Sequence, residues 1–174
     1  MESVRYFDIE TEGRGLLDGE EGKNHRIIFV NLNGKHLLLR DQSEEEILLE
    51  TVAWLKKPDQ LPLIGKALIF DLWFIATRCK VYGIDFDPVW WLLNWFNLDM
   101  KEIAVLLNGG RFQGYPKWID RKGKPNGSIV PEWFKQGRWD LIEKYSEEER
   151  IDVFKFYEWI GSYLTKLRRE DRPY

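Results

Sequence analysis

The feature that most constrains the fold is Asn33-Gly34, set between the apolar runs Arg26 to Asn31 (RIIFVN) and Lys35 to Leu39. Asn and Gly both tolerate positive φ, so they close a two-residue turn whose twist matches paired strands, and the two runs must return antiparallel. Val4 to Ile9 reads as another short strand. It is separated from the hairpin by residues 12–24, EGRGLLDGEEGKN, too polar and glycine-rich to be core. A sheet begun this way needs helices to cover its faces.

The helices follow. Ser43 with Glu46 three residues on forms a capping box, and Ile47, Leu48, Val52 and Leu55 recur at helical spacing until Lys57-Pro58 stops the run. Leu63-Ile64 is a short apolar strand. Asp71 to Tyr82 reads as a helix ended by Gly83. The tryptophan-rich stretch Val89 to Phe96 comes next, then a helix from Met100 to Leu107 ended by Gly109-Gly110. Residues 110 to 138 read as a long irregular excursion, and the chain closes on a helix from about Glu147 to Leu167. Strands first and helices interleaved later predict an α/β chain with a mixed sheet. At 174 residues, one domain is expected.

Composition removes several function classes. The single cysteine, Cys79, excludes an internal disulfide framework and a cysteine-rich zinc site, and with only His25 and His36 a histidine metal cage is not expected. Net charge of −3 speaks against a uniformly basic nucleic-acid surface. Pro88 to Phe96, the densest apolar stretch, is too short to cross a bilayer, and MESVRYFDIET has no basic segment followed by an apolar run. A soluble, intracellular protein with no membrane partner is expected.

The acids carry the chemistry. Asp8 and Glu10 stand two apart at the end of an apolar strand, so both side chains leave one face. Carboxylates crowded together stay ionised cheaply only beside a cation, and oxygen ligands alone select Mg²⁺ or Mn²⁺. The alternative for this pair is a solvated strand end. Asp71 opens an otherwise apolar helix, where the helix dipole alone would favour an acid.

FDIET near the start, IGKALIFDLWFI in the middle and an acidic helix bearing IDV near the end together resemble the three motifs of DEDD-type 3′→5′ exonucleases of the ribonuclease H-like superfamily. The stretch FDLWFIATRCKVYGI is similar to the second motif of the proofreading domains of family B DNA polymerases. The resemblance spans nearly the whole chain in the right order. It implies a ribonuclease H-like mixed sheet flanked by helices, and an enzyme that hydrolyses phosphodiester bonds at single-stranded ends with two Mg²⁺ or Mn²⁺ ions. Asp8 and Glu10 match the first acid pair, Asp71 the second-motif acid and Asp152 the last. Four such acids would hold both metals, one activating water and the other stabilising the leaving oxygen.

Two departures matter. The family carries Tyr four residues, or His five residues, before the last acid, and Glu148 and Glu147 occupy those positions relative to Asp152. Tyr145 lies seven residues upstream of Asp152, and a capping box of Ser146 with Glu149 would place it just before the helix. The water-orienting residue is therefore Tyr145, Glu148 or none. Ala67 replaces the Asn that related second motifs carry four residues before the acid.

A single-strand enzyme must also hold unpaired bases, which stack on aromatics. Between Arg111 and Asp140 lie seven basic against three acidic side chains, a surplus of four, interleaved with Phe112, Tyr115, Trp118, Trp133, Phe134 and Trp139. Thr11, Phe70, Arg111, Trp118, Lys122, Lys124 and Trp133 are the candidate substrate contacts. The competing reading is a solvated loop pinned by Trp133 and Trp139. Trp73, Trp90, Trp91, Trp95 and Trp159 are expected in the core, unless residues 90–96 form a homo-oligomer contact. Any proofreading role would need a separate polymerase or repair partner. The other readings are an exoribonuclease, a structure-specific endonuclease of the same superfamily, or a nucleic-acid-binding module with weakened catalysis.

Overall fold

In the computed structural model, residues 4–13, 25–57, 61–111, 113, 115 and 125–170 are described, the last four by backbone alone. The elements are β1 (Arg5–Thr11), β2 (Ile27–Leu32), β3 (Lys35–Leu38), α1 (Glu44–Leu55), β4 (Leu63–Gly65) and α2 (Leu68–Val81). They continue with α3 (Pro88–Asn94), β5 (Asn97–Asp99), α4 (Met100–Leu107), α5 (Val130–Lys135) and α6 (Trp139–Glu170).

Among the described residues, the five strands make one mixed sheet in the order β3-β2-β1-β4-β5. Asn33 and Gly34 turn the hairpin with φ of 57° and 92°. β2 pairs antiparallel with both β3 and β1, whereas β1–β4 and β4–β5 are parallel. β1 is thus central, and it is buried from Arg5 to Ile9 because helices cover both faces. On one face Phe7, Ile9, Val30 and Leu32 pack with Ile47 and Leu48 of α1 and Leu72 and Ile75 of α2. On the other, Val4, Tyr6 and Ile64 meet Met100 and Ala104 of α4 and Val153 and Phe156 of α6.

The α1 capping box is present: Ser43 Oγ accepts from the Glu46 N–H at 3.3 Å, and Glu46 Oε2 accepts from the Ser43 N–H at 2.8 Å. Asp87 caps α3 from one side, its carboxylate accepting from the Val89 and Trp90 N–H groups, with Pro88 in the first turn. Trp91 of α3 is buried and donates to the Leu55 carbonyl at 3.3 Å. Trp73, Trp95 and Trp159 are half-buried, but Trp90 is 54% exposed, so the expectation of a core tryptophan set fails there.

Three local expectations are corrected. Helix α6 begins at Trp139, about two turns before Glu147, because Ser146 does not cap it. The Ser146 hydroxyl bonds a strand carboxylate instead, which lets the helix run through Tyr145. The segment 125–138 is not irregular: a 3₁₀ turn, Gly127–Ile129, leads into α5, opened by Asn126 accepting from Ser128 N–H and by Pro131. Elements this short carry no periodicity to detect. On α6 the apolar residues Ile151, Phe154 and Trp159 would be expected to face the core, but Val153 and Phe156 hold the inward face, and Ile151 is exposed. No helix among the described residues is long and apolar enough to cross a membrane.

Candidate active site

The C-terminal end of β1, the β4–α2 junction, α6 and residues 126–128 enclose a cleft of about 410 Å³. Asp8 and Glu10 reach it from alternate positions of β1, and Asp71 enters from the first turn of α2. Tyr145 and Glu149, one helical turn apart on α6, form the opposite wall. Thr11 and Phe70 complete the sides, and Lys66 is the one basic side chain lining it among the described residues.

Each acid is held differently. Asp8, buried, accepts from Ser146 Oγ at 3.2 Å. That hydroxyl in turn accepts from Asn31 Nδ2 at 3.2 Å, and Asn31 lies directly across the β1–β2 ladder from Asp8. Glu149 is buried and accepts from Lys66 Nζ at 2.8 Å. Burial acts to lower the Lys66 pKa, but Glu149, Asp8 and Glu10 raise it, and the net displacement is upward. Asp71 is 3% exposed, and its Oδ2 has no hydrogen-bond partner among the described residues. Burial first, then the charges of Asp8, Glu10, Glu149 and Asp99, hold its carboxyl well above the usual carboxylate range. This is not the pattern of an N-terminal cap, whose oxygens would be spent on backbone N–H groups.

Tyr145 is buried, with its hydroxyl donating to Glu149. Burial, followed by the charges of Glu149, Glu10 and Asp8, pushes its ionisation far upward, so the phenol stays neutral. A Cβ on Gly127 would stand 2.9 Å from that hydroxyl, so the 126–128 rim can close over Tyr145 only with glycine there. Trp133, expected on the substrate path, packs edge-on against Tyr145 at 6.1 Å between ring centres and supports it from behind. Arg111 is exposed and does not line the cleft. Trp118, Lys122 and Lys124 lie outside the described residues.

Asp8, Glu10, Asp71, Tyr145, Thr11 and Phe70 are therefore brought together. Asp152 is buried on the next turn of α6, and it is Glu149 that lines the cleft in its stead. Sequence reasoning missed Glu149, yet its signal was there: Tyr145 precedes it by four residues, the interval the resemblance expects before its last acid. Lys66, Ser146 and Asn31 carried no such signal.

Among the described residues, no group of three or more Asp, Glu, His or Cys side chains is arranged to hold a metal ion as it stands. The chemistry of the donor set nevertheless fits a hard divalent cation: carboxylate oxygens alone, crowded in a buried place, one of them without a partner. Compared with known proteins, the chain matches no family model and no curated protein sequence.

Proposed function

We propose that this chain is a ribonuclease H-like, DEDD-type 3′→5′ exonuclease acting on single-stranded ends, DNA by preference. One observation carries the reading: acids far apart in sequence, Asp8 and Glu10, Asp71 and Glu149, line a single cleft together with Tyr145. The strand order and the mix of parallel and antiparallel pairs support the fold part of it. In this reading Asp8, Glu10, Asp71 and Glu149 would hold Mg²⁺ or Mn²⁺. When bound, such ions would lower the pKa of a water and stabilise the charge developing on the leaving oxygen.

The chain's own residues do the rest. Ser146, fixed by Asn31, sets the orientation of Asp8. Tyr145, kept neutral and donating its hydroxyl hydrogen to Glu149, leaves its oxygen able to accept from, and so orient, a water at the edge of the acids. Phe70 and Thr11 wall the place where a terminal nucleotide would lie, and the aromatic ring excludes water from one side.

The test uses single-stranded DNA and RNA labelled at the 3′ or the 5′ end, incubated with Mg²⁺, Mn²⁺ or chelator. A metal-dependent ladder from the 3′ end that disappears in Asp8→Ala is the expected result. Binding without cleavage under every metal would replace the enzyme by a nucleic-acid-binding module.

A further inference from the structure

Among the described residues lining the cleft, four side chains are carboxylates and one, that of Lys66, carries an ammonium. Its position is built into the fold. Lys66 sits between Gly65, which ends β4, and Ala67, whose left-handed backbone (φ 63°) is fixed by its N–H donating to Asp99 Oδ1 at 3.0 Å. The side chain then crosses to α6, where Nζ meets Glu149 Oε1 at 2.8 Å. Glu149 is almost wholly enclosed, with its side chain 5% exposed, while the Lys66 side chain remains 30% exposed and has somewhere to go.

A divalent cation bound by Glu149 would approach the same carboxylate, to roughly 2.0–2.1 Å for Mg²⁺. Two cations on one carboxylate repel in a low-dielectric cleft, so the second weakens the hold of the first. We propose that Lys66 is a tethered counter-ion that competes with a divalent cation for Glu149, and so sets the cation concentration at which the cleft fills. This rests on the acid cleft being a metal site, as in the proposed function, and adds to it a regulator belonging to the chain itself.

The experiment is titration calorimetry of the full chain with Mn²⁺ after removal of metal by chelator, comparing wild type, Lys66→Met and Lys66→Arg. Lys66→Met should bind Mn²⁺ roughly 10-fold tighter or more, whereas Lys66→Arg should stay close to wild type. Thermal unfolding gives an independent reading, with Lys66→Gln as the substitute if the Met variant does not fold. In chelator the neutral variant should melt below wild type, and in saturating Mn²⁺ the gap should close or reverse. A purely structural ion pair would lower both melting points equally, and that result, or equal Mn²⁺ affinities, overturns the competition. Mn²⁺ binding by neither wild type nor variant is a separate outcome: it overturns the metal-site reading on which the proposal stands.

Discussion

Glu44 and Asp71 make an instructive pair. Both are acids in the first turn of an amphipathic helix, and both are 3% exposed. Glu44 is met on every side: Arg78 donates to it through Nε at 2.8 Å and a terminal nitrogen at 2.6 Å, Tyr82 through its hydroxyl at 2.9 Å, and Ile27 through its backbone N–H at 2.8 Å. Asp71 has an oxygen with no partner among the described residues and other carboxylates for neighbours. The first charge is compensated inside the fold; the second calls for compensation from outside it. A buried acid with its own arginine is architecture. One left among like charges is the candidate for a site.

The sharpest way to break this contrast is substitution of the two acids. Asp71→Asn should reduce 3′→5′ cleavage by at least about 10⁴-fold, in line with the loss of a key catalytic group. In chelator, however, it should raise the melting temperature at neutral pH, because the cost of burying an acid among like charges is removed. The pH dependence follows from the same cause. The folded-state pKa of Asp71 lies above its unfolded value, so the folded state binds the extra proton between the two. Asp71's contribution to stability in chelator should be greatest at and below the ordinary carboxylate range and should fall as pH rises through the raised pKa. The acids whose pKa is lowered, such as Glu12 and Glu147, follow the opposite trend. Thermal melts across pH should show the Asp71 contribution as the difference between wild type and Asp71→Asn. An equal pH dependence in both would remove Asp71 as its source.

Glu44→Ala should behave in the opposite sense. It leaves the Arg78 guanidinium buried without its partner, a loss of about 3–5 kcal/mol. Denaturant unfolding would measure it, and the turnover of the protein that remains folded should be unchanged. Loss of turnover without loss of stability would make Glu44 part of the site after all.

The two regions also differ in how much of them was legible in the sequence. The hairpin at Asn33-Gly34, the capping box at Ser43 and the Gly83 helix end rest on local chemistry within four residues, and each was read from the sequence. So were the acids at the ends of β1 and at the start of α2, because apolar context makes a charge conspicuous. What failed was mostly non-local. Ser146 looked like a cap because its partner across the fold, Asp8, is 138 residues away in sequence. Shortening the helix on that account displaced Tyr145 from its true neighbour Glu149. Glu149 itself is one acid in the run EEER, which by composition reads as a solvated face. Its four-residue interval from Tyr145 was the one sequence signal that set it apart from Glu148, and packing bears the difference out. The resemblance drew attention to the Asp of IDV, one turn further along.

That ambiguity on α6 gives the next prediction. Glu149→Gln should lower cleavage by roughly 10²- to 10³-fold while Asp152→Asn changes it less than about 10-fold, if the residue lining the cleft is the one that acts. Steady-state assays of the two variants at matched Mn²⁺ concentration decide between them, and the reverse order would return the role to Asp152.

The smallest effect is expected at Ala67, where the two kinds of region meet. Its left-handed backbone costs a residue with a Cβ about 1–2 kcal/mol. The conformation is enforced because Asp99 Oδ1 accepts from the N–H groups of Ala67, Lys101 and Glu102, tying the α2 entrance to the start of α4. Ala67→Gly should therefore stabilise the chain by up to about 1 kcal/mol with little effect on cleavage. Ala67→Asn tests more, since Asn adopts the left-handed region more readily than Ala and would add a carboxamide to the cleft wall. It should keep stability within about 0.5 kcal/mol of wild type or raise it, and should lower KM for single-stranded DNA by a few fold with kcat unchanged. A drop in stability would mean that the wall is too closely packed at this position to accept the carboxamide. An unchanged KM would mean that the nucleotide does not pass this wall of the cleft.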